Sequence, residues 1–495
     1  MMETTPGGFL LVLILVVPVT AMLIAFAMGG HAAQRIALAA MPVGLAMALM
    51  LMAGVLHAGA PITYLVGGLA PPLGLALRAD GVNAAMLVTT ALVMGAVGLH
   101  AQASYGTARG SPEARAPFAF WVFFPALWAA LNAAFLGGDL FNLFVALEML
   151  TFGALALACL DGRATQFKAE LRYLLFALIG SVLYLLGTAL LYGAYGTLDV
   201  VLLAQRIAAD PATIVAAALM TVGLLAKMAL FPLHLWLPAA HAGAPPAASA
   251  LLSGLVVKAS YFLLLRLWFA VFPLAMTQAV APILALLGAG AILFGSLVAL
   301  RQTRLKLLIA YSTVAQIGYL FLMFPLVAGA APEIAAGAWT GGALQAISHA
   351  FAKAAMFLAA GIIAGALGHD RIAELDGAAR VAPLSVLAFG LAGLSLMGIP
   401  PSGGFTAKWL LLLAAIETGQ WWWALVIVGG GLLTGGYVFR VLAVSLAGRD
   451  TAPTPIAPVS RMQEGVALGL AVASVVLGLM PLASFGLVQI GRTLP

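Results

Sequence analysis

Charge is what this chain has least of: 8% of its 495 residues are charged and 64% are hydrophobic, with a mean hydropathy of +1.13. A soluble domain carries about a quarter of its residues as charged side chains, so the composition excludes an ordinary globular enzyme and calls for a lipid environment. Cysteine is nearly missing as well. Cys159 stands alone, which excludes an intrachain disulfide or the thiolate set of an iron-sulfur cluster, so any redox centre would belong to another chain. There is no Walker sequence, so nucleotide hydrolysis would need another protein. The net charge of +6 is spread over short connections without a basic run or stripe, and nucleic-acid binding is not expected. The first residues carry Glu3 and no early Lys or Arg, unlike a secretory leader, so the first apolar stretch is expected to remain as a helix.

What the chain has in abundance is long apolar runs. Read against Gly, Pro and charge punctuation, they predict an all-α polytopic membrane protein of about 14 transmembrane helices, near 8–28, 36–57, 82–100, 117–136, 139–160, 169–194, 212–237, 245–270, 276–299, 305–326, 336–366, 383–418, 421–445 and 464–488. The runs are too long for strands and lack the alternation of a barrel. Connections leaving odd-numbered helices hold fourteen basic residues: Arg35, Arg109, Arg115, Arg163, Lys168, Arg172, Arg301, Arg304, Lys306, Arg371, Arg380, Arg440, Arg449 and Arg461. Those leaving even-numbered helices hold Arg78, Arg206 and Arg266, with Arg492 in the tail. By the positive-inside rule both termini are expected on the non-cytoplasmic side of a bacterial inner membrane.

The four remaining basic residues, Lys227, Lys258, Lys353 and Lys408, lie inside apolar spans, and Glu148 sits near the middle of helix five. One charge at the bilayer centre costs about 2.5 to 3.5 kcal/mol on insertion scales, so five must face one another, water, or both. Two spans are interrupted. Helix seven contains Pro232 and Pro238, each without a backbone donor, and helix twelve contains Gly398-Ile-Pro400-Pro401-Ser-Gly-Gly. Backbone freed at that depth must be covered by protein or line a polar cavity, so each break marks a candidate ion path. The breaks are five spans apart. Because five is odd, helices four to eight and nine to thirteen would thread the membrane in opposite directions, as two inverted five-helix repeats. The expected division is 1–116, a three-helix segment; 117–270, the first repeat; 271–445, the second; and 446–495, with helix fourteen.

Gln345, His349 and Lys353 are spaced by four and share one helical face. An imidazole exchanges protons near neutral pH, and desolvation brings a lysine toward its neutral form, so such a row can pass protons. Glu148 would act as the counter-ion that switches a neighbouring lysine. A single intramembrane lysine can instead be structural or snorkel to an interface, which is the reading adopted for Lys306 near a helix end. For four lysines, one carboxylate and a polar stripe, a proton pathway is the better explanation. His234 and His241 flank the first break without the Cys, Asp or Glu that would complete a metal site, so a gating or hydrogen-bonding role is preferred. Asp139 after Gly137-Gly138 is read as a helix cap. The glycines of 429–436 match no phosphate loop and are read as close helix packing.

As a group, Gly138-Asp-Leu-Phe-Asn-Leu-Phe-Val with Glu148, Lys227-Met-Ala-Leu-Phe-Pro-Leu-His-Leu-Trp-Leu-Pro-Ala-Ala-His-Ala, Ala250-Leu-Leu-Ser-Gly-Leu-Val-Val-Lys258 and His349-Ala-Phe-Ala-Lys353 resemble the antiporter-like subunits shared by respiratory complex I, membrane-bound hydrogenases and Mrp-type cation/proton antiporters. The likeness spans nearly the whole chain, and is strongest to the D subunit of the Mrp type. It implies fourteen helices with two inverted five-helix units. It also implies roles: Glu148 and Lys227 as the coupled pair of the first half, Lys258 as the link, His349 and Lys353 as the central relay and Lys408 as the terminal site. Ala239 stands where relatives often have an acid in Leu-Pro-Asp-Ala-His, so an acidic gate there is not expected. The longest relatives continue past helix fourteen with a lateral helix, and the end of this chain argues against those subunits. The expected function is proton translocation coupled to Na⁺ or another monovalent cation, within an assembly of other membrane subunits and with no cofactor or metal of its own. The alternative is a proton-pumping subunit of a complex I-like NADH dehydrogenase or membrane-bound hydrogenase, and a third is a purely structural scaffold.

Overall fold

The computed structural model describes residues 3–107, 114–447 and 455–492; Arg109 and Arg449, counted above among the basic residues, lie outside them. Helices α1 (Phe9–Met28), α2 (Gly30–Ala58), α3 (Gly81–Tyr105) and α4 (Arg115–Leu136) lead into α5 (Leu140–Ala158) and α6 (Ala164–Tyr195). A short α7 (Val200–Arg206) precedes α8 (Pro211–Lys227), α9 (Trp236–Gly243), α10 (Pro246–Leu251) and α11 (Val257–Arg266). Then follow α12 (Leu274–Arg301), α13 (Leu305–Val327), α14 (Pro332–Leu367), α15 (Ala378–Val381), α16 (Pro383–Met397), α17 (Gly403–Glu417), α18 (Trp421–Leu446) and α19 (Arg461–Val476). Among the described residues eleven helices are long and apolar enough to cross a membrane, α10 and α11 counting as one over Pro246–Val271. The other three expected spans are built from shorter pieces: α8 with α9, α16 with α17, and α19.

Four sequence expectations change in detail. Helix fourteen does not run to 488. It stops at Val476, where Gly478 packs its Cα directly on the Ser402 backbone, and after Pro481 the chain winds as tighter turns over Leu482–Gln489. Pro238 is not part of the first break; it sits in the first turn of α9, where a missing N–H costs little. The segment between α2 and α3, treated as a bare connection, contains an antiparallel pair, β1 (Ile62–Leu65) on β2 (Ala76–Ala79), with Ile62 opposite Ala79. Only Ile62, Leu65, Ala76 and Ala79 turn inward, too short a pattern to stand out in sequence. Finally, α10 and α11 are joined by a widened helical turn at Leu252–Val256, with a second at Leu267–Val271.

One hydrogen-bond pattern occurs twice along the chain. At the start of α5, Leu140 N–H donates to Leu198 O and Val200 N–H donates to Gly138 O. At the start of α13, Leu305 N–H donates to Asp370 O and Ile372 N–H donates to Thr303 O. Each is a single antiparallel bridge, Asp139 with Asp199 and Arg304 with Arg371. In both units the bridge ties the start of the second helix to the chain that follows the third. Packing repeats too: α4 lies on α5 and α6 on α8, as α12 lies on α13 and α14 on α16 and α17. The sign of the charge reverses between the bridges, acidic at one and basic at the other, as expected if they face opposite membrane surfaces.

Small residues let these helices approach closely, since between apolar helices in lipid the gain is in packing rather than water release. A Cβ on Gly180 of α6 would lie 2.6 Å from the Gly223 carbonyl of α8 and 2.9 Å from Lys227 Cγ; one on Gly288 of α12 would lie 2.6 Å from the Gly318 carbonyl of α13. Glu464 of α19 performs a different structural task. Fully buried, it accepts from the Ser385 N–H (3.0 Å) and hydroxyl (3.2 Å), capping α16, which has no side-chain cap of its own. Gly180→Ala is expected to destabilise the protein by about 1–3 kcal/mol through overpacking and to displace Lys227. Gly193→Ala on the same helix, where a Cβ meets nothing within 4 Å, should be neutral or slightly stabilising; thermal unfolding of the two variants in detergent measures the contrast.

Candidate functional site

Lys227 is the last residue of α8, and the chain beyond it cannot continue as a helix. Ala229 adopts a positive φ of 58°, Pro232 has no N–H, and α9 resumes at Trp236. The indole of Trp236 donates to the Ala226 carbonyl (2.9 Å), adding to the longer bond from the Ala229 N–H (3.3 Å) at the end of the helix. Lys227 Nζ thus sits at a fixed helix end. It donates to Glu148 Oε1 at 3.0 Å, Thr151 Oγ1 at 3.1 Å and Ser181 Oγ at 2.5 Å. The Ser181 hydroxyl donates in turn to Glu148. The pair is nearly dry: the side chains of Lys227 and Glu148 are 4% and 19% exposed. Glu148 is brought there by α5, whose start is set by Asp139 accepting from the Phe141 and Asn142 N–H groups (2.9 and 3.1 Å), the cap read from the sequence.

The other three buried lysines have no carboxylate partner among the described residues. Lys258, fully buried, donates to the Ser253 carbonyl within the widened turn that precedes α11. Lys353, also fully buried, donates to Ile309 O at 3.0 Å and to Ser312 Oγ. Lys408 donates to Leu396 O at 2.5 Å and lies 4.0 Å above the ring of Tyr319, a cation–π contact. The second break exposes that carbonyl. Gly398 ends α16 with φ 84°, Pro400 and Pro401 supply no donors, and Ser402 caps α17 by accepting from the Phe405 N–H (3.1 Å).

Sequence reasoning overlooked the element that connects these lysines. On α13, Ser312, Thr313, Gln316 and Tyr319 are all fully buried. Thr313 shares a 2.8 Å hydroxyl contact with Ser253, beside Lys258. Ser312 and Thr313 both donate to the Ile309 carbonyl that Lys353 uses. Gln316 Nε2 donates to the Leu396 carbonyl that Lys408 uses (3.1 Å) and to Thr434 Oγ1 (3.3 Å), and its own oxygen accepts from Gln345 Nε2 (3.2 Å). The contacts form two groups: Lys258 and Lys353 are joined through Ser253, Thr313 and the Ile309 carbonyl, and Lys408 shares the Leu396 carbonyl with Gln316, one helical turn beyond Ser312 on α13. The signal was available: Ser312, Gln316 and Tyr319 recur at helical spacing inside an apolar run.

His349 lies on the expected face of α14 with Gln345 and Lys353, within electrostatic reach of Lys258, Lys353 and Lys408, and neither ring nitrogen has a hydrogen-bond partner among the described residues. His241 stacks on Phe357 at 4.5 Å, and His234 packs between Phe231 and Phe294. Neither belongs to a group of three His, Cys, Asp or Glu that would hold a metal, among the described residues. Lys306 donates to Ala244 O at 3.0 Å and ties α13 to the end of α9. Two crevices lie beside these helices. One of about 590 Å³ is lined by Arg78, Asp80, Asn83, Phe262 and Arg266, with Phe262 one turn from Lys258. Another of about 470 Å³ is lined by Lys408, the Gly398 break and Gly431, Gly435 and Gly436 of α18. The glycines of 429–436 divide their tasks: Gly430 packs under Tyr319 while three others line this crevice.

Residues 137–434 match the family described as NADH:quinone oxidoreductase/Mrp antiporter, transmembrane. The chain is 36% identical over 400 residues to the N subunit of the NADH-quinone oxidoreductase of Desulforudis audaxviator, covering 79% of this chain and 76% of that protein. It is 31% identical over 414 residues to the D subunit of the Na⁺/H⁺ antiporter of Alkalihalophilus pseudofirmus, covering 82% and 80%. Its fold superposes on a chain of the Mrp complex from Dietzia sp. DQ12-45-1b with a TM-score of 0.87 at 26% identity, over 98% of this chain and 96% of that one.

Removing one partner of a buried ion pair costs about 3–5 kcal/mol, whereas replacing both by apolar groups is often near neutral. Glu148→Gln alone is therefore expected to lower stability by a few kcal/mol, and Glu148→Gln with Lys227→Met to recover most of that loss. A double-mutant cycle by thermal unfolding reads the coupling; equal losses in the single and double variants would show none.

Proposed function

Because the chain belongs to the NADH:quinone oxidoreductase/Mrp antiporter membrane family, whose members include proton-translocating antiporter-like subunits, we propose that it moves protons in a multi-subunit assembly that exchanges them for a monovalent cation, foremost Na⁺. The observation that carries this reading is the set of four buried lysines held on polar partners: Lys227 on Glu148, Lys258 and Lys353 joined through Ser253, Thr313 and the Ile309 carbonyl, and Lys408 with Gln316 on the Leu396 carbonyl one turn further along α13. Residues 117–270 and 271–445 act as two inverted half-channels, flanked by 1–116 and 446–495. Glu148 and Lys227 form the first proton site, Lys258 the link, His349 and Lys353 the centre and Lys408 the terminal site. His234, His241, Pro232, Pro400, Pro401 and Gln345 shape the breaks and the polar stripe around them.

Coulomb attraction ties Lys227 to Glu148 at 3.0 Å, so a proton leaves this site only when that attraction is relaxed. Relaxation leaves Lys227 with the hydroxyls of Thr151 and Ser181, which hold it in place while its charge state changes. Hydroxyls such as Ser253, Thr313 and Ser312 both donate and accept, so they can hand protons on; the backbone carbonyls only accept and serve to position the amines. His349, whose two ring nitrogens have no partner among the described residues, is the open acceptor of the centre, within electrostatic reach of Lys258, Lys353 and Lys408. The assembly sits in a bacterial plasma membrane beside other membrane subunits, with both termini of this chain on the non-cytoplasmic side. A second reading, a proton-pumping member of a redox-driven complex, is favoured by the 36% identity to a quinone oxidoreductase subunit.

In proteoliposomes holding the whole native complex, Glu148→Gln and Lys227→Ala are each expected to cut pH-gradient-driven ²²Na⁺ uptake at least tenfold with complex composition unchanged. Full activity in both variants overturns the proposal. Flavin or iron-sulfur chains in the purified complex, with proton movement driven by a reduced substrate and no ²²Na⁺ flux, would establish the second reading instead.

A further inference from the structure

The buried face of α6 carries more polar groups than the pair needs. Gln166, Glu170, Tyr173, Ser181, Tyr184 and Thr188 are all buried along it, while Phe167, Leu171 and Leu175 face outward. Ser181 already belongs to the Lys227 site. Glu170 has no task in the relay described above, yet it is 1% exposed and neither of its carboxylate oxygens has a hydrogen-bond partner among the described residues. An ionised carboxylate in a dry interior is normally held by donors or by a cation. Glu148 has both; Glu170 has neither, so it is not a helix cap or a fixed counter-ion.

Its position supplies a reason. Glu170 lies less than two turns inside the end of α6, at a surface bearing the exposed Arg163, Lys168 and Arg172. One turn further out, buried Gln166 leaves its Oε1 without a partner, so the polar face continues toward that end. One turn further in stands Tyr173, on the same helical face. Its ring is stacked on Trp236 of α9 at 4.4 Å, and its hydroxyl faces Thr151, within electrostatic reach of both Glu170 and Glu148. Thr151 Oγ1 in turn accepts from Lys227 Nζ.

We propose that Glu170 is the proton-loading residue that connects the Arg163–Arg172 surface to the Glu148–Lys227 pair, with the hydroxyls of Tyr173 and Thr151 as the bridge. The proposal rests on the relay reading given under Proposed function. A proton taken from solvent binds a carboxylate oxygen of Glu170. It passes through one intervening water to the Tyr173 oxygen as the Tyr173 hydroxyl proton moves to Thr151, and Thr151 gives its proton to the neutral amine of Lys227. Four O–H bonds form and four break along the way, at Glu170, the water, Tyr173 and Thr151, the last new bond is the N–H at Lys227, and rotation of the water and the two hydroxyls resets the bridge. No oxidant or cofactor is required.

The test uses the whole complex in proteoliposomes, with proton flux read by a pH-sensitive dye. Glu170→Gln is expected to reduce flux at least tenfold, Glu170→Asp to retain a third or more, and Tyr173→Phe, which preserves the stacking on Trp236, to reduce flux severalfold. Wild-type flux in Glu170→Gln beside an inactive Glu148→Gln overturns this proposal and leaves the relay standing; wild-type flux in both removes the relay as well. Loss in Glu170→Gln and Glu170→Asp alike, with normal flux in Tyr173→Phe, assigns Glu170 to packing and overturns the proposal. If Glu170→Gln does not assemble, Tyr173→Phe decides: reduced flux in an intact complex supports the bridge, and unchanged flux refutes it.

Discussion

An ammonium group without water around it must be surrounded by oxygen or by the face of a ring, and the buried lysines of this protein meet that demand in two ways. Lys227 has a carboxylate and two hydroxyls. Lys258, Lys353 and Lys408 have backbone carbonyls, one hydroxyl and one aromatic face. The distinction is chemical: a carboxylate partner stores countercharge in the site, whereas uncharged partners position an amine without compensating its charge. Lys227 is therefore charge-compensated within its site, whereas Lys258, Lys353 and Lys408 are held by uncharged groups.

Carbonyls free to accept from a lysine are scarce inside helices, because each already accepts an N–H four residues on. The protein obtains them at irregular backbone. Leu396 O is made available near the break at Gly398, and Ser253 O lies in a widened turn. Ile309 is different; its carbonyl sits in a regular helix and accepts side-chain donors as well, through its second lone pair. Breaks and widened turns thus do more than interrupt helices. They supply oxygen where the lysines need it, and they are tolerated because neighbouring side chains such as the Trp236 indole and the Ser402 hydroxyl cover what remains.

The paired bridges at Asp139–Asp199 and Arg304–Arg371 show how one architecture serves both halves. Their hydrogen bonds coincide in pattern, but the side chains placed around them do not. Counting from the bridges, Glu148 on α5 falls level with Thr313 on α13, so the second half has a hydroxyl where the first has a carboxylate. That hydroxyl contacts Ser253 beside Lys258. The two segments thus carry different chemistry at positions equally spaced from their bridges, a charge pair in one and a hydroxyl link in the other.

The membrane class, nearly every span, both breaks and the isolated charges were legible in the residues themselves, because the cost of placing polar groups in hydrocarbon is large and local, and acts on each helix whatever it packs against. The caps at Asp139 and Ser402, the hairpin's inward residues and the end of α19 at Val476 are finer, and of these only Asp139 was read, since the rest depend on what lies alongside. Which lysine meets a carboxylate, which hydroxyls of α13 join Lys258 to Lys353, and that Glu464 caps a distant helix while Glu170 is left without a donor among the described residues were decided by tertiary structure alone. The physical reason is range: burial is dictated by hydropathy along the chain, whereas a hydrogen bond acts over about 3 Å between residues that are often scores of positions apart, and only packing brings them together.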